Sequence, residues 1–379
     1  MIALFAGLAA GAASAAAAPE IRVLLVESSS PVELRSALAV HRVGLAQKGA
    51  ALAVDGRPAG STWVAQDAGP WQVAGRRYRG RIVVHAASGQ LSVVNHVDLE
   101  DYVAATVGGE MPASWPEQAL RAQAVATRTY ALYQRALYQK PLHQRAAQPQ
   151  SLHWDVRATE QSQVYRGIES ETPRTRRAAD STRGEILTLA GQPILAVFHS
   201  TSGGRTASAS EVWGKSVPYL GSIDVEYEDD APFTYWRTVF APETLSGLLA
   251  AAGSDLDRVD SLEVTGRTES GRVERIVARE ASRREVWSGD RLRSLVEGLG
   301  LRSRLFDIRP TPQGFAFVGS GFGHGVGMSQ WGARELARRG ASYQRILARF
   351  YPGAELSLLR AEGRAERVAS RADHGKRGN

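Results

Sequence analysis

Between Ser114 and Leu137 the chain reads SWPEQALRAQAVATRTYALYQRAL, a run that carries helix-start signals and small side chains on most of its turns. Ser114, Pro116 and Glu117 have the form of a capping box, in which the serine and glutamate side chains satisfy the free backbone N–H groups of a helix start. Leu120, Ala124, Thr127 and Ala131 recur at helical spacing, with Val125 and Leu132 beside them. A helix this small-sided is expected to be packed on several faces, so the rest of the chain has to fold around it.

The flanking sequence supplies the neighbours. From Ile21 to about Asn95 short apolar runs, IRVLLV, ALAV, TWVA, RIVVH and LSVVN, are separated by Gly, Pro and Asp and read as successive strands. LEDYVAATV reads as a helix and HQRAAQPQS as a loop. EILTLAGQPILAVFHS reads as a hairpin turning at Gly191-Gln192, and SLEVTGRTESGRVERIVARE as a second one around Ser270-Gly271. GDRLRSLVEGL is a short helix, Phe306 to Gly319 is strand again, and SGFGHGVGMSQWGARELARRG is a glycine-rich loop opening into a helix. Strands cluster without regular β-α alternation, and no fixed-period repeat occurs. The expected class is therefore α+β, with mixed and antiparallel strands around a central buried helix.

The ends read differently from the middle. Residues 1–18 are alanine-rich, end in an Ala-x-Ala pattern and read as a secretory signal peptide, too short for a convincing membrane span. A structureless Ala-rich N-terminus is the competing reading. Residues 360–379 form a basic stretch with few apolar side chains and read as a disordered tail, which leaves 19–359 as the folded part. The chain has no cysteine, so disulfides and thiolate metal sites are excluded. A net charge of +7 favours an anionic partner, although part of the excess sits in the tail. Nucleic acid as that partner rests on charge alone, since no nucleic-acid-binding motif appears.

Three polar clusters stand at junctions where a rigid frame displays side chains. Glu110, in GGEMP, sits at a tight corner beside Tyr102, Met111 and Trp115. If shielded there, its pKa would rise toward that of a general acid, while an exposed or helix-capping glutamate is the plainer reading. HSTSGGRTASASEVWG, His199 to Gly214, lacks a nucleophile elbow and reads as a turn that binds a polar ligand through hydroxyls and backbone donors. GFGHGVGMSQWGA has glycines that permit close backbone approach to a ligand or a tight turn, and no phosphate-loop pattern. The histidines show no metal-ligand spacing, so no metal and no cofactor is expected.

Taken together, LEDYVAATVGGEMPASWPEQALRAQAVATRTYAL, QVYRG, HSTSGGRTASASEVWGKSVPYL and GFGHGVGMSQWGA, in that order, resemble the stage II sporulation protein D family, also called SpoIID/LytB or amidase-enhancer family, over about Ile21 to Leu359. The resemblance implies a SpoIID-like α+β fold with a substrate cleft, made of one domain or two subdomains, and work on peptidoglycan outside the cytoplasmic membrane. It places the catalytic acid on Glu110. It places substrate-binding positions on Gln123, Arg128 and Tyr130, on Gln163 and Tyr165 of QVYRG, on His199, Ser200, Ser202, Gly203 and Gly204, and on His324 and Gln330. The zinc site that some relatives carry near QVYRG has no cysteine here and is not carried over. A role in sporulation does not follow from the match.

The implied activity is lytic transglycosylation of glycan strands denuded of stem peptides. There a single carboxyl group protonates the leaving oxygen and then takes the proton of the attacking muramyl hydroxyl, leaving a 1,6-anhydromuramyl end. A solitary acid suits this better than hydrolysis, which ordinarily uses a second carboxylate. Arg128 and Arg205 are candidate partners for the sugar carboxylates, and Tyr130, Tyr165, Trp213 and Trp331 either face sugars or belong to core and rim. The alternative is a non-catalytic glycan-binding module that stimulates a cell-wall amidase. Either protein would be secreted or held in the cell envelope, and an N-terminus left uncleaved would attach it to the membrane.

Overall fold

The computed structural model describes residues 19–46, 50–67, 69–139, 153–359 and 365–367, so the expected signal, the HQRAAQPQS loop and most of the basic tail lie outside the described residues. Glu20–Ser28, Arg81–Ala87 and Gln90–Asp98 are the middle of a five-stranded sheet in the order Val156–Arg157, Glu20–Ser28, Gln90–Asp98, Arg81–Ala87, Thr62–Val64. One face carries Ile21, Val23, Val84 and Val93 into the main core, and Trp154 packs with Leu24 and Val94 in a small separate cluster. The other early strands, from Val32–Arg35 to Arg76–Tyr78, form a six-stranded sheet that shares this core. The many strands expected before Asn95 are therefore present, mostly in antiparallel register.

Asp98 ends the sheet and starts α1 (Leu99–Glu110), its carboxylate accepting the backbone N–H groups of Glu100 at 2.8 Å and Asp101 at 3.3 Å. The long run follows as α2 (Glu117–Gln139). Among the described residues no hydrogen bond joins Ser114 to Glu117; Ser114 is exposed, and Glu117 instead pairs with Arg121 one turn ahead at 2.5 Å. From Ala119 to Leu132 every residue of α2 except Arg121 is buried. Its neighbours include α1, α3 (Pro173–Ser181) and the strand Glu185–Leu189.

The expected hairpin at 185–199 forms only at its turn. Glu185–Leu189 pairs with Gln192–Pro193, but after Ile194 the chain leaves the ladder, and Phe198–His199 pairs in parallel with Met328–Ser329. The free edge of Glu185–Leu189 is taken by Glu355–Leu359, which in turn pairs with Ala365–Arg367, a short strand inside the stretch read as a disordered tail. After α4 (Ala209–Trp213) a second core builds from α5 (Pro242–Ala251), the three-stranded antiparallel sheet that contains the hairpin at Ser270-Gly271, α6 (Gly289–Gly298) and the sheet of Trp236–Phe240, Gly314–Gly319 and Phe306–Thr311. The chain then returns to the first core through α7 (Gln330–Arg338) and α8 (Tyr343–Phe350), both packed on α2. The class is α+β, as expected. No helix among the described residues is long and apolar enough to cross a membrane.

Candidate active site

Glu110 is the last residue of α1, and the glycines before it set where it stands. A Cβ on Gly108 would lie 1.9 Å from the carbonyl oxygen of Ser170, and one on Gly109 would lie 2.2 Å from that of Val164. Only glycine lets the final helical turn rest directly on the backbone of the QVYRG segment and the turn after it. One Glu110 oxygen accepts the Val164 N–H at 2.7 Å, and the other accepts the side-chain amide of Gln330 at 3.3 Å. Protein crowds the carboxyl, and this burial raises its pKa above the ordinary glutamate value; the two hydrogen bonds pull it down, and the charge of Glu160 adds to the rise.

These groups line a cavity of about 550 Å³. Glu110 and Gln330 share it with Tyr130, with the stretch Glu160–Ser162 and Val164, with Val197–Ser200, and with Trp213 and Phe322–His324. Cavities of similar volume near His41 and near Asp307 contain none of the motif residues. Of the residues singled out in the sequence, Glu110, Tyr130, His199, Ser200, Trp213, His324 and Gln330 are thus brought together. Glu160 is an addition: the acid read as solitary shares its cavity with a second, exposed carboxylate. Nothing in TEQSQ distinguishes Glu160 from a solvated surface residue.

The two histidines are fixed by one another's surroundings. His199 Nδ1–H donates to the Val326 carbonyl at 3.1 Å, while His324 Nδ1 accepts the Val326 N–H at 3.0 Å and its other ring nitrogen bonds the Phe198 backbone. Burial lowers both pKa values, that of His324 to about 4 and that of His199 well below the usual range, and proton uptake at His324 Nδ1 would set two donors against each other. Both rings are neutral in this setting, and among the described residues His199 Nε2 has no hydrogen-bond partner.

Nine expected positions do not line the cavity, and each has another task. Arg128 is fully buried and grips Glu100 with two hydrogen bonds, 2.9 and 2.6 Å, while also donating to the carbonyls of Glu185 and Ala179. It is therefore not free to meet a sugar carboxylate. Gln123 is buried within α2 and donates to Thr127 at 3.2 Å. Gln163 accepts the Tyr102 hydroxyl at 2.7 Å, and the Tyr165 hydroxyl donates to Asn95 at 2.9 Å; the two anchor the segment from either side of Val164. Arg205 is taken by Asp224 and Glu269, and Trp331 stacks edge-on against Trp115.

Ser202, Gly203 and Gly204 turn inward to Glu228, a buried acid that the sequence reading passed over among the carboxylates of VEYEDD. Its carboxylate accepts the Ser202, Gly203 and Gly204 N–H groups at 3.0 to 3.3 Å, the Ser202 hydroxyl at 2.6 Å, and the Ser329 hydroxyl that also caps α7. One carboxylate thus ties the STSGG turn to the helix that carries Gln330. An amide in its place would turn an N–H against these donors, so Glu228→Gln is expected to lose about 1–3 kcal/mol of stability in denaturant titration. An unchanged midpoint would remove the anchoring role.

A family model described as Stage II sporulation protein matches residues 87–189, and a model described as Domain of unknown function (DUF8618) matches residues 208–327, a span that contains the whole second core. An uncharacterised protein of Brachyspira hyodysenteriae is 31% identical over 89% of this chain and 84% of its own length. Stage II sporulation protein D of Bacillus amyloliquefaciens is 32% identical over 70% of this chain and 75% of its own length. The amidase enhancer of Bacillus subtilis is 27% identical over 66% of this chain but only 39% of its own length.

Proposed function

This chain belongs to the stage II sporulation protein D family, and from that premise we propose that it is an exported peptidoglycan lytic transglycosylase acting on glycan strands denuded of stem peptides. The observation that carries the reading is Glu110: a carboxyl with a raised pKa, half-buried in the wall of a cavity that also presents Tyr130, Trp213 and Phe322. A protonated Glu110 gives its proton to the glycosidic oxygen as the bond from the muramyl anomeric carbon breaks. The resulting carboxylate then takes the proton of the muramyl primary hydroxyl as that oxygen bonds to the same carbon. The acid is regenerated, no water is consumed, and the new end is a 1,6-anhydro sugar. Gln330 and the Val164 N–H hold the carboxylate form between the two steps. The cavity, lined from α1, the 160–164 segment and the loop before α7, serves in this reading as the substrate cleft.

Digestion of denuded and of intact sacculi, followed by mass spectrometry, tests the proposal. Anhydromuramyl ends from denuded strands are the expected product. Ends heavier by one water would mean that Glu160 activates water and that the enzyme is a hydrolase. A second reading, a glycan-binding module that stimulates a cell-wall amidase, is favoured by the likeness to the amidase enhancer. It requires that no glycan end be released while stem-peptide removal by the amidase accelerates.

The pH profile follows from the site. The acid must be protonated in the free enzyme, so kcat/KM falls as pH climbs through the Glu110 pKa, which lies above the ordinary glutamate range. His324, at about 4, and His199, lower than usual, stay neutral near pH 6 and add no acidic limb there. A bell-shaped profile with an acidic limb near the usual histidine value would contradict this assignment.

A further inference from the structure

Phe322 lines the cavity and is 38% exposed, and its ring meets Phe233 edge-on with centroids 5.0 Å apart. The guanidinium of Arg302 lies 3.9 Å from the centre of the Phe233 ring and 5.3 Å from that of Phe322. Phe233 and Arg302 do not line the cavity themselves and extend from Phe322 as a shelf beside it. The backbone fixes their spacing: the Gly323 N–H donates to the Arg302 carbonyl at 2.9 Å, and the Gly321 N–H donates to that of Phe233 at 2.8 Å.

Arg267 pairs with Asp307 and Arg293 with Asp290, whereas among the described residues Arg302 is exposed and has no carboxylate partner. A guanidinium stacked on phenyl rings is pre-oriented and weakly hydrated, with its N–H edges open to a planar anion. Phenyl faces beside it suit the apolar face of a ring-shaped ligand. One cation beside a pair of aromatic rings is a poor match to a phosphate polymer, which calls for a row of charges. It is a good match to a carboxylate carried on a sugar.

We propose that this shelf binds a carboxylate-bearing sugar of the same strand where it leaves the cavity, and that Arg302 makes the protein prefer glycan whose muramyl carboxylates are free over glycan in which they are blocked as amides. The proposal rests on the glycan reading given above and assigns the selection for denuded strands to the second core. In strands that keep their stem peptides the same carboxylates are amide-linked, so Arg302 would face no anion there.

The test measures binding by calorimetry in the full chain carrying Glu110→Gln, so that strands are not consumed. The probes are peptide-free glycan strands and the same strands with their carboxylates converted to methylamides. The parent protein is expected to prefer the charged strands, and Arg302→Gln to reduce that preference about tenfold, the scale of one charge-assisted contact. Arg302→Lys, which keeps the charge and loses the planar fork, should fall between them. A preference unchanged in Arg302→Gln, or equal loss of affinity for both strands, overturns the proposal. Failure to bind either strand overturns the glycan reading with it, whereas equal binding to both by the parent protein overturns the shelf alone.

Discussion

Glu110→Gln protein is expected to fold normally and to release anhydromuramyl ends roughly 10⁴ times more slowly than the parent, the upper end of what a general acid contributes, because one group serves in both proton transfers. The fold should survive because the amide oxygen can keep the Val164 N–H bond, and the Gln330 amide can turn so that its oxygen meets the new N–H. Stability should not fall either. A carboxyl whose folded pKa is raised costs the native state as pH climbs through that pKa, so a neutral amide is at least as well tolerated above it. Cleavage at the parent rate would end the mechanism. Lost cleavage with a lowered melting temperature would point instead to a structural role.

The second large effect concerns Arg128. Arg128→Met leaves the Glu100 carboxylate buried without its partner, and an uncompensated charge in such a place costs about 3–5 kcal/mol, a large part of an ordinary folding free energy. Adding Glu100→Gln should restore part of the loss, since it removes the stranded charge. The measurement is the denaturant midpoint of the two single variants and the double. Had Arg128 met the substrate, as the family resemblance implied, Arg128→Met would lose binding with an unchanged midpoint, so the two roles are separable.

The places where sequence and structure part company have a common physical origin. Local signals read well: α2 from its small side chains, the hairpin at Ser270-Gly271 from its turn residues, and α7 from the glycine-rich loop ahead of it. Glu110 was legible because two glycines before a charged residue at a helix end are unusual, and the structure gives the reason in the backbone oxygens of Ser170 and Val164. Several motif residues stand away from the cavity for one shared reason. Arg128, Gln163, Ser202, Gly203 and Gly204 stand in the same stretches as the cavity residues, but their side chains or backbone groups turn to buried partners. A motif fixes a segment, and the burial of each side chain within it depends on contacts far along the chain. Glu228 and Glu160 were invisible for the converse reason: both lie among ordinary polar residues, and only the folded chain gives one of them five donors and the other a share of the cavity.

The second core is spliced into the chain between Val225 and Val326, so Glu110 meets Gln330 across 220 residues of sequence. A nascent chain that has emerged only as far as the GFGHG loop has no α7 to complete the pocket, and a protein clipped within the second core has no covalent means of holding the halves in register. The wall of the cavity that carries Gln330 is completed last. On the reading proposed above, an unfinished chain would lack the Gln330 wall of the cleft and with it part of its hold on glycan.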